Sequence, residues 1–237
     1  MDIDTIKKII QDFFQEGTVT IVGSGLSLAE GIPGMGELAK KLQMEIPGLL
    51  SATGDIKNWN NIENDLAKGV GLEEALHNTK PSSYVEECIR KVTAIYIGEA
   101  DKRLLTDIVK TGKQLRFSEY LQRFNIRNEG MTVITTNYDR LLEYACETNE
   151  IMADTLFVGK YIARFKPNQS KYASCIGVQR TNGKGKKLQY SPRVIILKPH
   201  GCLSWHLINS IPYSLPDYSI EDSLIITPGL NKYREGY

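Results

Sequence analysis

Short runs of β-branched and apolar residues at 18–22, 132–135, 193–197 and 223–227 alternate with segments whose apolar positions recur every three or four residues. That alternation of periods predicts an α/β chain. The first run, TVTIV, reads as a strand buried on both faces, and those at 132–135 and 193–197 as further buried strands of the same parallel sheet. Ahead of the first strand, Ile3, Ile6, Ile9, Ile10, Phe13 and Phe14 fall at helical spacing and predict one apolar stripe packed on the sheet, stopped by Gly17. Residues 37–44 resume a helical pattern with Leu38 and Leu42 on one face. From about 61 to 124 the pattern is helical throughout, with Leu66, Leu72, Leu76, Val85, Ile89, Val92, Leu104, Ile108 and Leu121 as core positions.

That middle third is far longer than a strand-to-strand crossover needs. It predicts a helical insertion over about 55–124 that caps a cleft, set into a sheet-bearing core of about 1–50 and 125–237. Residues 150–192 read less regularly, as short strands or extended loops at 154–158, 174–179 and 187–190, with Asn182-Gly183 as a turn.

Three of the predicted strands run straight into residues suited to chemistry. Gly23-Ser-Gly25-Leu-Ser27 follows the first, Thr136-Asn137-Tyr-Asp139 the second and Lys198-Pro-His200-Gly201 the third. In an open parallel sheet with helices on both faces, ligands bind beyond the carboxyl ends of the strands. Glycines after a buried strand let the backbone turn tightly and approach a phosphate at the start of the next helix. Leu28 stands where the usual G-x-G-x-x-G/A fingerprint has its third small residue. An asparagine after a strand often makes a turn, and Asp139 reads equally as a cap for the helix beginning at Arg140. The coincidence of three such ends is what marks a site.

Composition narrows the picture. With 41% apolar and 24% charged residues over 237 positions the chain can bury a sizeable core, and a net charge of +1 argues against a broad nucleic-acid face. Lys184, Lys186 and Lys187 read as a solvated hairpin tip. The start, MDID, lacks the basic and apolar regions of a signal peptide, and no apolar run approaches a membrane span, so a cytoplasmic location is expected. Cys88, Cys146, Cys175 and Cys202 form no C-x-x-C pair and predict reduced, structural thiols without zinc. His77 reads as a helix-surface residue, His206 beside Trp205 as packing at the edge of a loop, and Tyr138 as a packing residue. Trp59, among Asn58, Asn60 and Asn61, fits an exposed contact surface or a helix-entry loop.

The three strand-end motifs, together with Gly31-Ile32-Pro33, resemble in order the signature segments of sirtuins, and more closely the sirtuin-like NAD-consuming domains of bacterial antiviral defence. The resemblance implies a Rossmann-like NAD-binding domain with a helical subdomain, and Asn137 and His200 match the family's catalytic asparagine and histidine. Asp139 matches an acidic residue near the nicotinamide. Gly23, Ser24, Gly25, Leu26, Ser27, Gly31, Ile32, Pro33, Thr136 and Gly201 match its NAD contacts. The two C-x-x-C pairs of zinc-bearing deacylases are missing, Thr136 replaces glutamine before Asn137, and Met35-Gly36 replaces Phe-Arg after the Gly-Ile-Pro turn. These departures resemble the defence branch. They imply NAD as substrate of a glycohydrolase, with a protein deacylase or a non-catalytic NAD or ADP-ribose sensor as alternatives. They also imply a homo-oligomer, or a sensor domain or partner of ATPase or Argonaute type, and no direct contact with nucleic acid or membrane. The resemblance further leads one to expect a strand and glycine-rich turn beyond Tyr237, and hence an N-terminal piece of a longer protein.

Overall fold

Strands form at three of the four β-branched runs, and their register decides the rest. In the computed structural model, which describes residues 2–12, 17–124, 130–180 and 185–228, the elements run α1 (Ile3–Asp12), β1 (Val19–Val22), α2 (Ser24–Leu28), α3 (Met35–Leu49), α4 (Thr53–Ala67), α5 (Leu72–Asn78), α6 (Ser83–Thr111) and α7 (Arg116–Leu121). Then come β2 (Met131–Thr135), α8 (Leu141–Glu147), β3 (Met152–Asp154), β4 (Phe157–Val158), β5 (Ala163–Phe165), α9 (Pro167–Ala173), β6 (Cys175–Arg180), β7 (Lys186–Tyr190), β8 (Arg193–Leu197), β9 (Trp205–Ile208) and β10 (Ile211–Ser214). A parallel sheet runs in the order β1-β2-β8-β3, flanked by helices. A small antiparallel sheet runs β4-β5-β10-β9, and β6 pairs with β7 as an exposed hairpin. The Asn182-Gly183 turn lies outside the described residues.

Val22 pairs with Thr135, and Ile134 with Leu197, so the carboxyl ends of β1, β2 and β8 come level. The same register sorts the two faces, because side chains alternate along a strand. Met131, Val133, Val194 and Ile196 share one face and are fully buried against α6, α7 and α8. Val19, Ile21, Ile134 and Leu197 share the other.

On that second face Val19 is 51% exposed and Ile21 76%. The expectation that residues 18–22 are buried on both faces is therefore corrected: β1 pairs with β2 alone among the described residues, which makes it an edge strand with one uncovered face. The α1 stripe is corrected likewise. Ile3 is 67% exposed and Ile6 and Ile9 are 43% exposed each, so amphipathic spacing is present without burial on the sheet. The side chain of Ile10, and Phe13 and Phe14, lie outside the described residues. No strand forms at 223–227. The backbone there bonds instead to the loop after β8, with Ile226 N donating to His200 O at 2.9 Å and Cys202 N to Leu224 O at 3.1 Å.

A second core joins α3 to the helical middle third, from Leu42 and Ile46 of α3 with Trp59, Ile62, Leu76 and Ile89. α6, 29 residues and about 44 Å long, runs through both cores. Its first half buries Val85, Ile89 and Val92 against α3 to α5, and its second half buries Ile97, Leu104 and Ile108 against the sheet. Trp59 is 1% exposed on α4, which corrects both readings of it as a surface or loop residue. The neighbouring asparagines hid an α-helical position whose apolar partners, Ile56 and Ile62, lie three residues to either side. His77 is exposed on α5. His206 lies on β9 and is 1% exposed rather than at a loop edge, its Nδ1 3.2 Å from the Asp222 carbonyl and its ring 5.0 Å from that of Tyr218.

Two outcomes follow from this packing. Trp59→Ala is expected to cost about 3–5 kcal/mol in urea unfolding, while Ile21→Ser on the open face changes stability by less than about 0.5 kcal/mol. Burial holds the His206 imidazole below its ordinary value, so the unfolded chain binds more protons as pH falls through about 6.5 and stability drops there. The stability advantage of the unaltered chain over His206→Gln should thus shrink between pH 7.5 and 5; an advantage constant over that range would contradict it.

Candidate functional site

The level strand ends place three loops side by side. A cleft forms above them, lined by Ser24 and Ser27 after β1, by Ile32 and Pro33 of the following turn, by Thr136, Asn137 and Asp139 after β2, and by His200 after β8. The helical insertion closes the other side with Glu73 of α5 and Ile97 of α6, and Met35 and Leu38 of α3 complete the wall. Asn137 and His200, 63 positions apart in the chain, are thus brought to one cavity.

Asn137 is held from three directions. Its backbone N–H donates to Thr135 Oγ1 at 3.1 Å, and its side-chain Nδ2 donates to Gly23 O at 2.9 Å and to Ser27 Oγ at 2.7 Å. Both amide hydrogens are therefore engaged by the loop after β1, which fixes the carboxamide plane and leaves Oδ1 as its group for a ligand.

Ser27 in turn donates to Asp139 Oδ2 at 2.7 Å, and Asp139 Oδ1 accepts the N–H of Leu141 at 3.2 Å at the start of α8. Both carboxylate oxygens are engaged by the protein, and α8 begins at Leu141 with Arg140, not Asp139, in the N-cap position. Burial pushes its carboxyl above the ordinary value, with the Lys198 ammonium and the Ser27 hydroxyl opposing. Ser27, only 3% exposed, is a link between Asn137 and Asp139 rather than a free donor to a ligand.

Of the other residues singled out in the sequence, Gly23 enters through its carbonyl, and Gly25, Leu26 and Gly31 stand behind the wall without lining it. Gly201 is turned away from the cleft. Its φ of +84° and the Leu224 carbonyl, 1.9 Å from where a Cβ would stand, make glycine the only residue that fits.

Several residues have roles here that the sequence did not assign to them, whether inside the motifs, as for Lys198 and Tyr138, or outside any, as for Asp101. Lys198, wholly buried, donates to the Asp139 carbonyl, lies 2.8 Å from Glu143 Oε1 and sits 3.5 Å from Cys202 Sγ. Burial works against its charge, yet Cys202, Glu143 and Asp139 hold its pKa above the ordinary lysine value. Asp101 of α6, 0% exposed, accepts from the Arg140 backbone N–H at 2.7 Å, from Arg140 Nη2 at 2.6 Å and from Tyr144 Oη at 2.7 Å. Tyr138 Oη donates to Ile226 O at 2.5 Å. A buried charge inside an apolar helical stretch, as at Asp101, was the one available signal, since such a group requires a partner.

Among the described residues no three His, Cys, Asp or Glu gather as a metal site, and no helix is long and apolar enough to cross a membrane.

Replacing Lys198 by Met should destabilise by about 3–5 kcal/mol, because Glu143 and the Asp139 carbonyl lose their buried cation. The pair Lys198→Met, Glu143→Leu should recover most of that loss in chemical denaturation; no recovery would mean the ion pair is not what the lysine supplies.

No curated protein matches this chain. Residues 131–233, which carry β2, the Asn137 loop, β8 and the His200 loop, match the family model of the SIR2-like domain, which supports a sirtuin-like domain over that segment and NAD-related activity in the broad sense.

Proposed function

We propose that the chain is an NAD glycohydrolase, cleaving the nicotinamide–ribose bond with water to give nicotinamide and ADP-ribose. The observation that carries this reading is the shared cleft of Asn137 and His200, with the asparagine amide immobilised by Gly23 and Ser27. The cleft, open to solvent and with about 120 Å³ of space, would take the nicotinamide end of the dinucleotide, with Ser24 in its lining near the glycine loop.

The leaving group is neutral nicotinamide departing from a cationic ring, so it needs no proton from an acid. What the reaction needs is orientation and a stabilised oxocarbenium-like charge. Asn137 Oδ1 accepts a hydrogen bond from the ribose or from the attacking water. His200 takes the proton that water releases, as a general-base imidazole does. The Glu73 carboxylate, in the wall opposite, favours positive charge on the ribose. An NAD-depleting role in antiviral defence, with an oligomer or a partner of ATPase or Argonaute type, belongs to the same reading and rests on the motif likeness.

Incubation with NAD should yield nicotinamide and ADP-ribose in equal amounts, and Asn137→Ala or His200→Ala should each lower the rate about 100-fold or more. Full activity in both variants would refute the assignment. Nicotinamide release only on addition of an acyl-lysine peptide would assign deacylation, and tight NAD binding without turnover a sensor.

A further inference from the structure

The parallel sheet and the small antiparallel sheet do not close on one another. Between them is a cavity of about 430 Å³, separate from the cleft and within the size range of small-molecule sites. The space opens to solvent on one side, and its lining is mostly apolar. One wall is aliphatic, from Ile134 of β2, Leu197 of β8 and Ile226. The other is aromatic: the Phe157 ring lies 5.4 Å from Phe165 and 4.9 Å from Trp205, and the three rings make one surface.

The charge pattern selects the ligand. Lys198 is the only ionisable residue in the lining, and its ammonium is held by Asp139 and Glu143. Beside Lys198 the lining offers only the Thr155 hydroxyl and the Trp205 indole as polar side-chain groups, so a charged or sugar-like group inside would lose hydration with little to replace it, whereas hydrocarbon would not. Phe165, at 45% exposure, marks where the cavity meets solvent. We propose that this cavity binds a hydrocarbon chain whose polar head stays in solvent at Phe165, the chemistry of a medium-chain fatty acid or alcohol.

The cavity and the cleft share a thin partition. Gly201 and Ile226 line the cavity, while His200 and Tyr138 line the cleft. Ile226 N donates to His200 O at 2.9 Å, and Tyr138 Oη donates to Ile226 O at 2.5 Å. A chain pressed against Ile226 therefore bears on two residues of the cleft, whatever reaction the cleft performs.

The chain has two tryptophans, and Trp59→Phe leaves Trp205 in the cavity wall as the sole emitter. Titration of that variant with decanoate and, separately, with 1-decanol should shift Trp205 emission saturably, while acetate and ethanol should not. Both probes should raise the melting temperature of the unaltered chain. Leu197→Phe, which fills the space, and Phe165→Asp, which puts a carboxylate at its mouth, should each weaken the apparent affinity at least tenfold. Saturation by one probe alone, weakened by these variants, supports the site and identifies the head it admits. The proposal is overturned if neither probe saturates the emission or moves the melting temperature. It is equally overturned if affinity is unchanged in both variants while circular dichroism shows them folded.

Discussion

The buried ammonium of Lys198 ties together the parts on which everything else depends. It sits one residue past β8, reaches the carbonyl of Asp139 after β2 and pairs with Glu143 on α8, so two strand-end loops and the helix behind them are joined at one cation. A buried charge is tolerated only when partners surround it, and the partners here are loops that must stand at fixed positions relative to one another. Asp139, so placed, receives the Ser27 hydroxyl, and Ser27 receives the amide of Asn137. Bonds of 2.7 Å link the Asp139 side chain, whose backbone carbonyl meets Lys198, through Ser27 to the carboxamide at the cleft.

The helical insertion is fastened to the same region from the other side. Asp101, on the half of α6 that packs against the sheet, is bonded to the backbone and guanidinium of Arg140, the residue after Asp139. α6 is also the element common to the two hydrophobic cores. The insertion thus carries its own packing, yet its approach to the cleft, where Glu73 and Ile97 stand, is set by a buried ion pair next to the asparagine loop.

The two cavities differ in kind for a reason visible in the strand pleat. The cleft lies at the carboxyl ends of the strands, where the chain leaves the sheet and polar loop residues converge. The second cavity lies on a face of the sheet, where Ile134 of β2 and Leu197 of β8 stand, and the rings of the small sheet stand across from it. Glycine at 201 allows the loop after β8 to separate them with a single layer of backbone.

Much of this was legible in the chain alone. Strand positions 19–22, 131–135 and 193–197, the helical middle third with Leu72, Leu76, Val85, Ile89 and Leu104 inside, and the three strand-end motifs all follow from local periodicity and turn chemistry, which are properties of neighbouring residues. Pairing partners are not such properties. That β1 lies at the edge, that Ile3, Ile6, Ile9 and Ile21 stay exposed, and that residues 223–227 bond to a loop instead of forming a strand depend on which distant segments arrive beside them. So do the partners of Lys198 and Ser27, which stood in motifs, and of Glu143 and Asp101, which stood in none. The one-dimensional pattern determined the elements and the chemistry at their ends. Only the folded chain decided which ends share a cleft and which side chain holds which, because hydrogen bonds and ion pairs between residues far apart in sequence exist only once tertiary packing has brought them within reach.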